Sequence, residues 1–167
     1  MDGDDYYMKK VLIDFLFGFL VVTTVTICEF IVTLPFGEPW KPGSEFVDTA
    51  KKFLGVPYLW GGVGAGGIDC SGLTYICCRV NGVDLPRDAQ PQYDAIPTSV
   101  VPTTKYMRTG DLVFFGSKIN SKTISHVGIY IGNNQFIHSS SGEGLVTITS
   151  LSNNYYIKRL VGVKRVF

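Results

Sequence analysis

The chain has 167 residues, enough for one domain of ordinary size and a short appendage. Hydrophobic residues make up 46%, enough to build a packed core. Fifteen Lys and Arg against 14 Asp and Glu leave a net charge of +1, with no basic run, so nucleic acid is not an expected partner.

Met1 to Lys10 is polar. An apolar run follows from Phe15 to Cys28, interrupted by Glu29 and resumed to Phe36. The first run has the length of a signal-peptide core, and the whole stretch could cross a bilayer with Lys9 and Lys10 on the inner side. Residues 1–36 are therefore read as an export signal or membrane anchor, and otherwise as an apolar segment packed on the domain. The first two readings place the rest of the chain outside the cytoplasm, in the envelope or secreted. Residues 37–167 are read as the working domain. Pro35 to Gly43 reads as a linker.

Ser44 is a suitable N-cap for a helix with Phe46, Val47, Ala50 and Phe53 on one face, closed by Gly55. A glycine-rich loop, Trp60 to Gly67, leads to a second helix from about Cys70 to Val80, ended by Asn81-Gly82. Asp88 is placed to cap a short third helix. The second half reads as strands: Leu112 to Phe115, a hairpin of His126–Ile131 and Gln135–Ser139, Leu145–Ile148 and Leu160–Val166. Helices first and strands after predict an α+β domain with N-terminal helices packed on an antiparallel sheet.

Of the four cysteines, Cys77 and Cys78 fall too far along the second helix to bridge Cys70. No spacing suits a structural zinc, and no metal or other cofactor is expected. Cys70 lies where the helix N-terminus would expose it and favour its thiolate. The chain has two histidines, His126 and His138, both on the hairpin. They share a face if the turn has an odd number of residues, such as Gly132-Asn-Asn134. One could then take the thiol proton while the other orients it. Gly128 would leave open space beside them. Inert core residues remain the alternative for all three side chains.

Several motifs in order extend this reading: Leu54-Gly-Val-Pro-Tyr-Leu-Trp-Gly-Gly62, Asp69-Cys-Ser-Gly72, Leu85-Pro-Arg87, Gly110-Asp-Leu-Val-Phe-Phe115, His126-Val-Gly-Ile-Tyr-Ile-Gly132 and Phe136-Ile-His138. Through them the chain resembles the NlpC-type (p-sixty) cysteine peptidases of bacterial cell walls, from about Val47 to Val166. The resemblance implies a papain-like fold and a catalytic triad of Cys70, His126 and His138. It also implies peptidoglycan stem peptides or muropeptides as substrate, cut at a γ-D-glutamyl–diamino acid bond. Residues matching Tyr58, Asp69 and Ser71 line the site in that family. Asp69 could receive a substrate amine or cap the helix, and Ser71 could bond a carbonyl. Arg87 could meet a substrate carboxylate or pair with Asp84 or Asp88. An amidase or acyltransferase on another amide, or a non-catalytic wall-binding module, are the rival readings.

Overall fold

The computed structural model describes residues 42–97 and 106–167. The expected signal, anchor or packed segment at 1–36 and most of the expected linker lie outside the described residues. Among the described residues no helix is long and apolar enough to cross a membrane.

Among the described residues, three helices precede the main sheet: α1 (Pro42–Lys51), α2 (Cys70–Val80) and α3 (Ala89–Ala95). Two short strands, β1 (Val63–Gly64) and β2 (Gly67–Ile68), pair within the glycine-rich loop. Then come β3 (Leu112–Gly116), β4 (Ile124–Gly132), β5 (Gln135–Ser140), β6 (Leu145–Ser150), the short helix α4 (Asn154–Ile157) and β7 (Leu160–Lys164). The five long strands form an antiparallel sheet in the order β6-β5-β4-β3-β7. The α+β architecture expected from the order of elements is thus present. Neither the β1–β2 pair nor α4 was expected. Two-residue strands and a four-residue helix carry too little periodicity to be read.

The sheet is covered on both faces. Phe46, Val47 and Ala50 of α1 and Leu73, Cys77 and Cys78 of α2 pack with Leu112, Phe114, Val127, Ile129 and Ile137. The opposite face buries Val113, Phe115, Phe136, Leu151 and Val163, with Tyr130 and Tyr156 against them. Strand β3 is buried along its whole length because its alternating side chains serve both cores.

The hairpin departs from expectation in an instructive way. Its turn has two residues, Asn133 and Asn134, both with positive φ (49° and 58°), as a primed hairpin turn requires. An even turn would put the histidines on opposite faces. The register, however, shifts between Tyr130 and Gly132, so Ile131 is an extra residue on β4. This bulge restores the odd count. The pairing Ile129↔Ile137 continues to set Gly128 against His138, with His126 diagonal to it on the same face. A second bulge lies one residue before His126, since Phe115 pairs with His126 but Gly116 pairs with Ile124.

Candidate active site

Helix α2 begins at Cys70, and Asp69 caps it: Gly72 donates its N–H to Asp69 Oδ1 at 2.7 Å. The other carboxylate oxygen accepts from the Gly61 N–H at 2.7 Å, tying the glycine-rich loop to the helix start. Arg87 completes the arrangement. Its Nη1 donates to Asp69 Oδ1 (2.9 Å) and Ser71 Oγ (3.0 Å), and its Nη2 to Asp69 Oδ2 (2.7 Å) and the Gly62 carbonyl (3.0 Å). Arg87 therefore pairs with neither Asp84 nor Asp88, and both terminal nitrogens are engaged within the protein. Asp69 thus accepts five hydrogen bonds, from the Gly61 and Gly72 N–H groups, the Ser71 hydroxyl and both terminal nitrogens of Arg87, rather than standing open to an amine. Burial alone would raise its pKa, but the Arg87 guanidinium and the Gly72 and Gly61 N–H groups outweigh that and hold it below the ordinary carboxylate value.

Cys70 is buried, with 9% of its surface exposed, and not open as its helix position suggested. Burial pushes its thiol up. The N–H groups of Val127, Ser71 and Cys70 itself oppose this, while the Asp69 charge adds to it. Position at a helix start is thus outweighed by desolvation, and the resting thiol is protonated. The Val127 N–H reaches Cys70 from strand β4, one residue beyond His126.

His126 and His138 meet directly: His126 Nε2 lies 2.8 Å from His138 Nδ1, with the rings near perpendicular at 86°. On its far side His138 Nε2 lies 3.0 Å from Thr149 Oγ1. Thr149 is on β6, two residues from the partner of His138 and on the same face. Phe136 and Tyr156 pack on His138, at ring-centroid distances of 4.6 and 5.1 Å, and Phe115 lies 5.9 Å from His126. Burial in this aromatic setting lowers both imidazole pKa values well below the ordinary range, and charge on His126 lowers His138 further. Both rings are neutral at rest. The open space expected over Gly128 is occupied: a Cβ there would lie 2.5 Å from Phe136 Cδ2 and 3.2 Å from His138 Cβ.

Two cleft lobes, each of about 450 Å³, share Ser125. One is lined by Tyr58, Trp60, Cys70 and Asp88, the other by His126, Glu143, Tyr155 and Arg159. Tyr58 thus falls in the lobe of Cys70. Burial there, with the nearby Cys70 and Asp69, raises its pKa, so its hydroxyl remains a donor. Asp88 stands at the N-cap position of α3 but makes no side-chain cap bond. Among the described residues no cluster of three or more metal-ligating side chains occurs.

Residues 55–165 match the sequence profile of the NlpC/P60 family, and this span holds the whole constellation from Tyr58 to Arg159.

The chain belongs to the NlpC/P60 family.

Its likeness to individual NlpC/P60 proteins agrees. It is 35% identical over 153 residues to the γ-D-glutamyl-L-lysine dipeptidyl-peptidase of Bacillus subtilis, covering 90% of this chain and 51% of that protein. It is 40% identical over 124 residues to the Escherichia coli K12 protein named murein DD-endopeptidase MepS/murein LD-carboxypeptidase, covering 74% and 62%. The crystal structure of an NlpC/P60 family protein from Bacillus cereus superposes with a TM-score of 0.70 at 35% identity, over 76% of this chain and 41% of that one. The papain-like cysteine peptidase fold of NlpC/P60 domains is therefore the fold of this chain. The chain spans about half the length of the first of these relatives.

Thr149, Tyr156, Glu143 and Arg159 were not singled out in the sequence. Thr149 sits in an alternating strand and Tyr156 in a short aromatic helix, where a packing role explains each equally well.

Proposed function

We propose that this domain is a cysteine endopeptidase that hydrolyses peptidoglycan stem peptides at a γ-D-glutamyl–diamino acid bond, through a thioester on Cys70. The contact that carries this reading is the 2.8 Å approach of His126 Nε2 to His138 Nδ1. It commits one nitrogen of His126 to an internal partner and leaves Nδ1 for the thiol proton. For Nδ1 to accept, the ring hydrogen of His126 must be on Nε2 and donate to His138 Nδ1. His138 then carries its hydrogen on Nε2 and donates to Thr149 Oγ1. One tautomer assignment satisfies every contact and prepares His126 as a base.

His126 Nδ1 takes the proton from the thiol as Sγ attacks the scissile carbonyl carbon. His138 stabilises the imidazolium that forms. Negative charge develops on the carbonyl oxygen, and the Cys70 N–H and the Tyr58 hydroxyl, which line the same lobe, are the donors assigned to it. Collapse breaks the C–N bond, and His126 returns the proton to the departing amine. Water then attacks the thioester, giving its proton to His126 and releasing the acid and the thiol. In the Cys70 lobe, Asp88 is the carboxylate free of a cap bond, and so the candidate to receive a substrate ammonium; the bonds already on Asp69 suit it to holding the loop instead. The relatives' names, a γ-D-glutamyl-L-lysine dipeptidyl-peptidase and a murein endopeptidase, support the substrate class. Such a substrate requires the domain to face the cell wall.

Digestion of purified sacculi, followed by mass analysis, tests the reading. New stem-peptide ends are expected from the native chain and none from Cys70→Ala. Unchanged sacculi with the native chain, or full activity in the variant, overturns it.

A further inference from the structure

The proposed mechanism needs the ring of His126 at a set distance from Cys70, and the two stand on different elements. Cys70 opens α2, whereas His126 lies near the start of β4. The pairs between β4 and β5 begin at Ile129, and the pairing with β3 shifts at the bulge just before His126. The ladder is thus interrupted where the histidine is carried. Ile124, on the other side of that bulge, is buried, and its N–H needs an acceptor.

The acceptor comes from α3. Gln90 Oε1 lies 2.7 Å from the Ile124 nitrogen, across 34 positions of sequence. The Gln90 amide is not free to turn round. Its Nε2 donates to Asp94 Oδ1 at 3.0 Å, one helical turn on, and a carboxylate and an N–H are both answered in one orientation only. The helix that bears it is itself fastened to the Cys70 side. Gln92 is fully buried; its Nε2 donates to the carbonyls of Ser71 (3.0 Å) and Pro86 (2.9 Å), and its Oε1 accepts from Thr74 Oγ1 at 2.7 Å. Ser71 is the residue after Cys70. At about 100° per residue, Gln90 and Gln92 leave α3 on nearly opposite sides, one towards β4 and one towards α2. The far end of α3 is pinned to the sheet. Lys164 Nζ donates to the Ile96 carbonyl at 2.9 Å, and the Tyr93 ring lies 5.1 Å from that of Phe114.

We propose that Gln90 is a positioning residue of the peptidase: through the Ile124 N–H it fixes the bulged start of β4, and so the reach of His126 to Cys70. Helix α3 then works as a strut with one amide on each half of the catalytic pair. This rests on the peptidase reading above and goes further, since the triad alone assigns no role to α3. Gln90 also lines the lobe of Cys70, so direct contact with substrate is the competing role. Lost substrate contact would appear in KM, a displaced base in kcat.

The test measures kcat and KM on one purified muropeptide, at a temperature where thermal unfolding shows each variant folded. Gln90→Met removes the acceptor at similar length, and Gln90→Asn withdraws it by one methylene. Both should lower kcat by about tenfold or more, the effect of a lost hydrogen bond and a misplaced base, with KM little changed. Gln90→Glu keeps an oxygen in that place and should recover most of kcat. Exchange of the Ile124 amide hydrogen should quicken in the first two variants and not in the third. A loss confined to KM, a loss of stability at unchanged kcat, or equal loss of kcat in all three variants overturns the proposal. Should Gln90→Met fail to fold, Gln90→Asn and Gln90→Glu decide. Cleavage by the native chain with kcat indifferent to Gln90 defeats this inference alone, whereas no cleavage by the native chain defeats the peptidase reading and this inference with it.

Discussion

Thr149 Oγ1 lies 3.0 Å from His138 Nε2, on the side of the ring away from His126. It is the polar group beyond both histidines, and by accepting from His138 Nε2–H it favours the tautomer that leaves His138 Nδ1 as an acceptor. Thr149→Val should lower kcat by about tenfold, the effect of one hydrogen bond, with little change in KM. Thr149→Ser should recover most of the loss. An equal loss in both variants, or a change confined to KM, would rule out this positioning role.

The neutral thiol and neutral imidazoles make a second expectation. Iodoacetamide should label Cys70 slowly near pH 6 and faster as pH rises through and beyond the ordinary thiol range. The acid limb of kcat/KM should lie below the ordinary imidazole value of about 6.5, because both histidines resist protonation. The same depression bears on stability. The unfolded chain binds protons on these rings below about pH 6.5 before the folded chain does, so their contribution is present above that pH and declines on acidification. Rapid labelling at pH 6 would indicate a resting thiolate–imidazolium pair instead.

Gly128 is predicted to be intolerant of a methyl group. Gly128→Ala would drive a Cβ into Phe136 and His138. A loss on the order of 1–3 kcal/mol in denaturant unfolding is expected. Activity should fall further than stability explains, since the disturbed ring is His138, proposed to orient His126. Unaltered kcat would show that Phe136 yields without disturbing His138.

The Asp69–Arg87 pair is expected to hold the helix start and the loop together. Arg87→Met should cost on the order of 2 kcal/mol, less than a fully buried pair because Arg87 retains 30% side-chain exposure. Asp69 has a depressed pKa in the folded state. Its contribution is therefore complete above the ordinary carboxylate value of about 3.9 and is lost as pH falls through the lower folded value. Asp69→Asn should flatten the stability curve in that acid range, which urea unfolding at several pH values would measure.

Much of this arrangement was legible in the sequence because it is local. Asp69 before Cys70 and Asn81-Gly82 after Val80 mark both ends of α2. Strand alternation placed His126 and His138 on one face, given an odd count between them. Other parts could not be read because they are matters of register or distance along the chain. A bulge at Ile131 and a three-residue turn give the same parity, so the pattern does not separate them. Asp69 and Arg87 are 18 positions apart, and nothing in either neighbourhood names the other. The depth of Cys70 was missed for a related reason: a helix N-terminus says how a group is stabilised, and the strand laid across it decides how much water it sees.

The bulge at Ile131 also makes the histidine pair a question of phase. Along β4 and β5 every residue inserted or removed between Tyr130 and Phe136 turns the following side chains over. A single deletion there would carry His138 to the helix-covered side of the sheet and bring Ile137 to face Tyr156, with the composition nearly intact. Restoring one residue anywhere in the same stretch would bring it back. Insertions in pairs at Asn133-Asn134 should therefore be tolerated where single ones are not, so that relatives of this chain would vary the length of this hairpin tip in steps of two.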